Sequence, residues 1–139
     1  MMSLMKAQPF YQSGGLMAIR CILGVLLIYH GTEVFDQSII NKYLSWDVFK
    51  ISAGKTLVYT GKILELVAGI FFLLGFCTRI ASLCTIGVMG FIAFFIGKGK
   101  IWYEDQHPFL FILLALVFFF TGPGSLSIDA LLFKKKRVQ

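Results

Sequence analysis

The sequence predicts an all-α membrane protein folded as a four-transmembrane-helix bundle, and three observations carry that prediction. Of its 139 residues, 58% are apolar, above the roughly 45–50% usual in soluble domains, and the mean hydropathy is +0.81. Charged residues make up only 14% and collect at the edges of apolar blocks. Four such blocks approach the roughly 20 residues a helix needs to cross a bilayer. The length suits a single domain over residues 1–139.

The first span is expected over about residues 14–34, interrupted by Arg20. Lys6 and Arg20 could introduce a signal peptide, but the apolar run continues to Gly31 without a small-x-small cleavage site, so it reads as a retained span. Residues 36–56 follow, with Ile39, Ile40, Tyr43, Leu44, Trp46 and Phe49 recurring at near-helical spacing among polar residues. That pattern predicts an amphipathic helix in the membrane interface. The second and third spans are expected over about 57–76 and 80–96, and the fourth over 106–121, closed by Gly122-Pro123-Gly124. Trp102 and Tyr103 before it suit interfacial anchors. Pro108 suits a first helical turn, with Asp105 or His107 as its cap. From Ser125 to Phe133 a short amphipathic C-terminal helix is expected, ending at the basic Lys134–Arg137 tail. That tail, with Lys6, Arg20 and Arg79, tips the positive-inside balance toward cytoplasmic termini.

Several function classes are excluded or reduced by composition. The net charge of +6 is split among segment ends and the tail, with no soluble basic face for nucleic acid. Cys21, Cys77 and Cys84 form no CxxC pair and read as small buried hydrophobes. No metal-ligand pattern is present.

Ionisable residues inside the apolar runs are more informative, because they are expensive in hydrocarbon unless paired or hydrated. His30 and Glu33, and Lys62 and Glu65, are each spaced three apart, which puts both members of a pair on one helix face. In a four-span topology the end of span one, the start of span two, the end of span three and the start of span four share one membrane face. His30, Glu33, Lys62, Glu65, Lys98, Lys100, Glu104, Asp105 and His107 all fall there. A Glu33–Lys62 or Glu65–Lys62 contact would neutralise the group, and a wholly structural charge network is the competing reading. Glu65, flanked by Leu64, Leu66, Val67 and Ala68, is expected to face the bundle interior. On the opposite face Arg20, Arg79 and Asp129 suit structural charge pairing, with Arg20–Asp129 as a staple for the terminal segment. Gly24 and Gly31 on span one, and Gly61, Ala68 and Gly75 on span two, recur every seven residues and predict close helix approach.

In order, these residues resemble the DoxX family of small four-helix membrane proteins. The resemblance rests on Arg20 with Gly24, the stretch Tyr29 to Phe35, the stretch Gly61 to Gly69, the stretch Leu74 to Arg79, His107-Pro108-Phe109, and Gly122-Pro123-Gly124 followed by Leu126 to Leu132. It covers nearly the whole chain and departs at Glu33-Val34, where many relatives carry lysine-leucine. The resemblance implies the bacterial cytoplasmic membrane and quinone-linked redox chemistry, since the family is named for a subunit tied to thiosulfate:quinone oxidation. On that reading His30 and Glu65 would transfer protons, and Glu33, Lys62 and His107 would bind the quinone head. With no flavin motif, no iron–sulfur cysteine set and no CxxCH, a redox partner protein would supply electrons. A bis-histidine haem through His30 and His107 is a minor alternative. A non-enzymatic membrane scaffold or assembly partner is the second reading. Small-solute or proton transport, which would call for a homo-oligomer, is the third.

Overall fold

The structure, a computed structural model, describes residues 11–133. Lys6 and the Lys134–Arg137 tail, on which the expected orientation leans, lie outside the described residues. The elements run α1 (Gln12–Gly31), a 3-10 turn (Thr32–Phe35), α2 (Gln37–Leu44), a second 3-10 turn (Asp47–Phe49), α3 (Gly54–Leu74), α4 (Thr78–Phe91) with a π turn (Ile92–Ile96), α5 (Gln106–Thr121) and α6 (Ile128–Phe133). Among the described residues there is no strand.

The predicted membrane bundle is the fold that forms. Gln12–Phe35, Gly54–Leu74 and Thr78–Ile96 are each long and apolar enough to cross a bilayer. The fourth helix, α5, has 16 residues, about 24 Å at the helical rise. It is short of the roughly 30 Å hydrocarbon core, and the exposed Trp102 and Tyr103 precede it. Ile22, Val25, Ile63, Ile70, Leu83, Phe94 and Leu113 are exposed around the bundle. Apolar side chains turned outward on all sides suit contact with lipid, and the chain is an integral membrane protein.

Chain order sets the packing, with α1 against α3, α3 against α4, and α4 against α5. The core between them holds Leu23, Leu27, Ala68, Phe72, Met89, Phe111, Ala115 and Phe118. At the α1–α3 crossing the backbones nearly touch. A Cβ on Gly24 would lie 2.7 Å from the Leu73 nitrogen, and one on Gly69 would lie 2.7 Å from the Ile28 nitrogen. Gly31 meets Leu66 in the same way. The heptad expectation is thus right for Gly24 and Gly31 and is corrected on α3. There Gly69 makes the crossing and Ala68 beside it is buried in the core, whereas Gly61 has no atom within 4 Å of its would-be Cβ. Gly75 instead ends α3 with φ +65, the left-handed cap for which glycine is suited.

The interfacial helix is α2. Asp36 caps it, its Oδ1 accepting from the Ser38 and Ile39 amides at 2.9 and 3.3 Å. The bond from the Ser38 hydroxyl, helped by these two amides, holds the exposed Asp36 carboxyl below the usual range. Ile40 is buried with Phe49 and Val58 in a second small core, against which Tyr43, Leu44, Phe91 and Ile96 pack. That core pins the whole 36–53 segment onto the ends of α3 and α4.

Candidate functional site

Six polar side chains converge where α1, α2, α3 and α5 meet. His30 lies in the last turn of α1 and Glu33 in the 3-10 turn that prolongs it. Lys62 and Glu65 lie one turn apart on α3. The Lys62 ammonium bridges both acids, 2.9 Å from Glu33 Oε2 and 2.9 Å from Glu65 Oε2. Both contacts expected of Lys62 are therefore present together. Tyr43, on the inward face of α2, donates its hydroxyl to the same Glu33 oxygen at 2.6 Å. Its ring also lies 5.1 Å from the Lys62 ammonium. Burial and the bond to Glu33 push the Tyr43 hydroxyl up to about 12, so it remains a donor across the physiological range.

The histidines complete the constellation less tightly. His30 Nδ1 stands 3.7 Å from Glu33 Oε1, beyond hydrogen-bond reach. The His30 and His107 rings lie 5.3 Å apart, edge to face. Phe111 packs against both, at 6.1 and 4.9 Å. His107 is exposed, and only 2% of the Glu65 side chain is. With neutral histidines, two carboxylates against one ammonium leave one formal negative charge. Burial of that charge is costly without further partners, and Glu65 has fewer than Glu33. Only its Oε2 takes a hydrogen bond among the described residues.

A groove of about 500 Å³ opens beside this cluster. Its polar wall is His30, Tyr43, Lys62, Glu65 and His107, and side chains of α3 and α4 with Trp46, Phe49 and Pro108 line the rest. The α4 wall runs from Leu83 and Cys84 through Gly87 and Met89 to Ile92 and Ile96. Its upper end is the π turn, closed by the Gly97 amide on the Ile92 carbonyl five residues back, at 2.8 Å. Such turns re-aim side chains and are frequent at functional sites. Span three thus supplies a wall that residue chemistry alone did not indicate. Tyr43, expected only as an interfacial apolar residue, is a direct partner of the cluster. Its place three residues after the buried Ile40, with a polar tip on an aromatic body, is the signal that could have marked it.

Other expected residues lie apart from the site. Lys100 pairs with Glu104 at 3.5 Å on the surface, and Lys98 is exposed. Asp105 occupies the position before α5, yet no side-chain cap forms there. Its Oδ2 accepts from the Lys100 amide at 2.7 Å instead, with the carboxylate against Gly97. His107 lies inside α5 rather than capping it.

At the opposite end the expected Arg20–Asp129 pair does not form. The buried Arg20 guanidinium donates to the carbonyls of Pro123 and Leu126 at 2.6 and 2.8 Å. Asp129 accepts from the amides of Cys77 and Thr78 at 2.7 and 2.9 Å, capping α4 from more than fifty residues away. Both side chains staple the terminal segment, each through backbone. Arg79 is exposed, with no acidic partner among the described residues. The three cysteines are free and half-buried.

The family model for DoxX matches residues 15–98, a stretch that holds His30, Glu33, Tyr43, Lys62 and Glu65 and stops short of His107. An uncharacterized protein of Haemophilus influenzae is 28% identical over 142 residues, which cover 97% of this chain and 100% of that protein. No solved structure matches the chain.

Proposed function

The chain belongs to the DoxX family, and from that premise we propose that it is the membrane subunit of a quinone-linked redox system. The observation that carries this is the groove, in which a wall of proton-exchanging groups adjoins an apolar slot between membrane helices. A quinone has the same two parts, a ring bearing two oxygens and an apolar tail. Its reduction takes two electrons and two protons. Lys62 and the imidazoles offer donors to a carbonyl oxygen, and Glu65 offers an acceptor to a ring hydroxyl. His30 and Glu65 would exchange the protons, His30 because imidazole titrates near neutrality. Glu33, Lys62 and His107 would hold the head. Electrons would come from a partner protein. The membrane in question is the bacterial cytoplasmic membrane, with both termini cytoplasmic and the groove near the outer surface. This orientation is supported by the basic tail and by Arg79 at the opposite end.

Purified protein in lipid nanodiscs, titrated with short-tailed ubiquinone and menaquinone analogues, tests the reading. Quinones quench indole fluorescence, and Trp46 lines the groove, so binding is read directly in a Trp102→Phe background. Saturable quenching that His30→Ala and Glu65→Gln weaken is the expected result. Absence of saturable binding by the wild-type groove, or binding indifferent to both substitutions, overturns it. A second reading, a scaffold that assembles a partner complex, draws on α6, where Leu131, Leu132 and Phe133 are 79%, 62% and 75% exposed. Co-purification of a stoichiometric partner that depends on α6 and not on His30 favours that alternative.

A further inference from the structure

The helix-interior glycines fall into two groups, and one of them packing does not explain. Gly24, Gly31 and Gly69 sit where a Cβ would strike the backbone of the facing helix. Gly61 and Gly87, like Gly15 and Gly90, have no atom within 4 Å of a would-be Cβ, and neither has a positive φ. Both line the groove, Gly61 on α3 and Gly87 on α4. A glycine inside a helix costs stability relative to alanine, and here no neighbour demands it. Gly61 lies one turn from Glu65 on the same face. A side chain at either position would therefore project into the space beside the cluster. Glu65 is nine-tenths buried, lines that space, and has a carboxylate oxygen without a hydrogen-bond partner among the described residues.

We propose that Gly61 and Gly87 are the specificity-determining positions of the groove, holding open between α3 and α4 a slot for a flat ring beside Lys62 and Glu65. This inference rests on the quinone reading and deepens it. Two glycine walls leave open faces on which a planar head can lie without meeting a side chain. The cluster's leftover negative charge favours a neutral head over an anionic phosphate headgroup, since like charges repel in a medium of low dielectric constant. The slot's apolar continuation past Leu64, Leu83 and Val88 then takes the tail.

The Trp46 quenching titration, repeated on Gly61→Leu, Gly87→Leu and Gly90→Leu, tests this. Gly90 is on the same helix as Gly87 and equally open, yet lies off the groove. The Gly61 and Gly87 variants are expected to weaken quinone binding about ten-fold or more, with Gly90→Leu unchanged. Should a leucine variant fail to fold, Gly61→Ala decides, because it should raise the melting temperature while weakening ring binding. A glycine kept for packing would not separate those two readouts. Wild-type affinity in the Gly61 and Gly87 variants, or equal losses in Gly90→Leu, overturns the slot while leaving quinone binding in place. Failure of the wild type itself to bind overturns the functional reading instead.

Discussion

Both ends of the bundle bury charge, and they satisfy it in different ways. At the α6 end, the two terminal nitrogens of Arg20 and the Asp129 carboxylate are taken up by backbone carbonyls and amides, with Arg20 Nε left unpaired among the described residues. At the other end, Lys62, Glu33, Glu65 and Tyr43 satisfy one another through side chains. Backbone groups are fixed in number and place, so a charge bound to them is locked with the fold and cannot be spared for a ligand. A side-chain network can redistribute its protons and bonds when a new polar group arrives. The groove adjoins the second kind of network. Burial of an ionisable group is therefore a weak guide to function by itself, and the identity of its partners is the stronger one.

The sharpest test of this contrast removes the charge at the groove end. Lys62→Met leaves two neighbouring acids without their cation, an imbalance expected to cost about 3–5 kcal/mol. The triple variant Lys62→Met, Glu33→Gln, Glu65→Gln carries no net charge and should recover most of that stability while losing quinone binding. Thermal unfolding and the quenching titration, measured together, check it. A triple variant as unstable as the single one would make the network structural and break the contrast.

The opposite end should behave in reverse. Arg20→Leu removes two charge-assisted bonds and leaves the Pro123 and Leu126 carbonyls without their donor, a loss of about 2–4 kcal/mol. Arg20→Lys should rescue little, because a single ammonium cannot reproduce the fork that spans both carbonyls. Hydrogen exchange should show the damage concentrated in residues 122–133, with quinone affinity of the folded protein unchanged. Altered affinity would mean that the two ends are coupled.

The sequence disclosed one of these ends better than the other, for a physical reason. Run length marks the spans, and spacing puts Lys62 and Glu65 on one face, so the cluster follows from topology. Which group satisfies Arg20 does not follow, because a backbone carbonyl is present at every residue and no side chain marks the one that is used. The expected Arg20–Asp129 pair failed on that point. Span three was silent for another reason, since its wall of Leu83, Cys84, Gly87, Met89 and Ile92 carries no charged residue and shows its role only as the side of a cavity. Gly61 looked like one member of a packing heptad, and only the empty space beside it tells it apart from Gly24.

The smallest effect concerns Tyr43, which ties the interfacial helix to the cluster. Its hydroxyl titrates at about 12 in the fold against 10.0 ordinarily, so between those values the folded protein binds a proton that the unfolded chain has released. Stability from this group is complete below the unfolded value and is lost as pH rises through the folded one. Wild-type melting temperature should accordingly fall between pH 10 and 12, and more steeply than that of Tyr43→Phe. At neutral pH that variant should cost about 1 kcal/mol, the worth of an ordinary hydrogen bond. Parallel alkaline losses in the two proteins would mean that Tyr43 does not fasten α2 to Glu33. The network at the groove end would then consist of Lys62 and its two acids alone, with α2 held down only by Ile40 and its apolar neighbours.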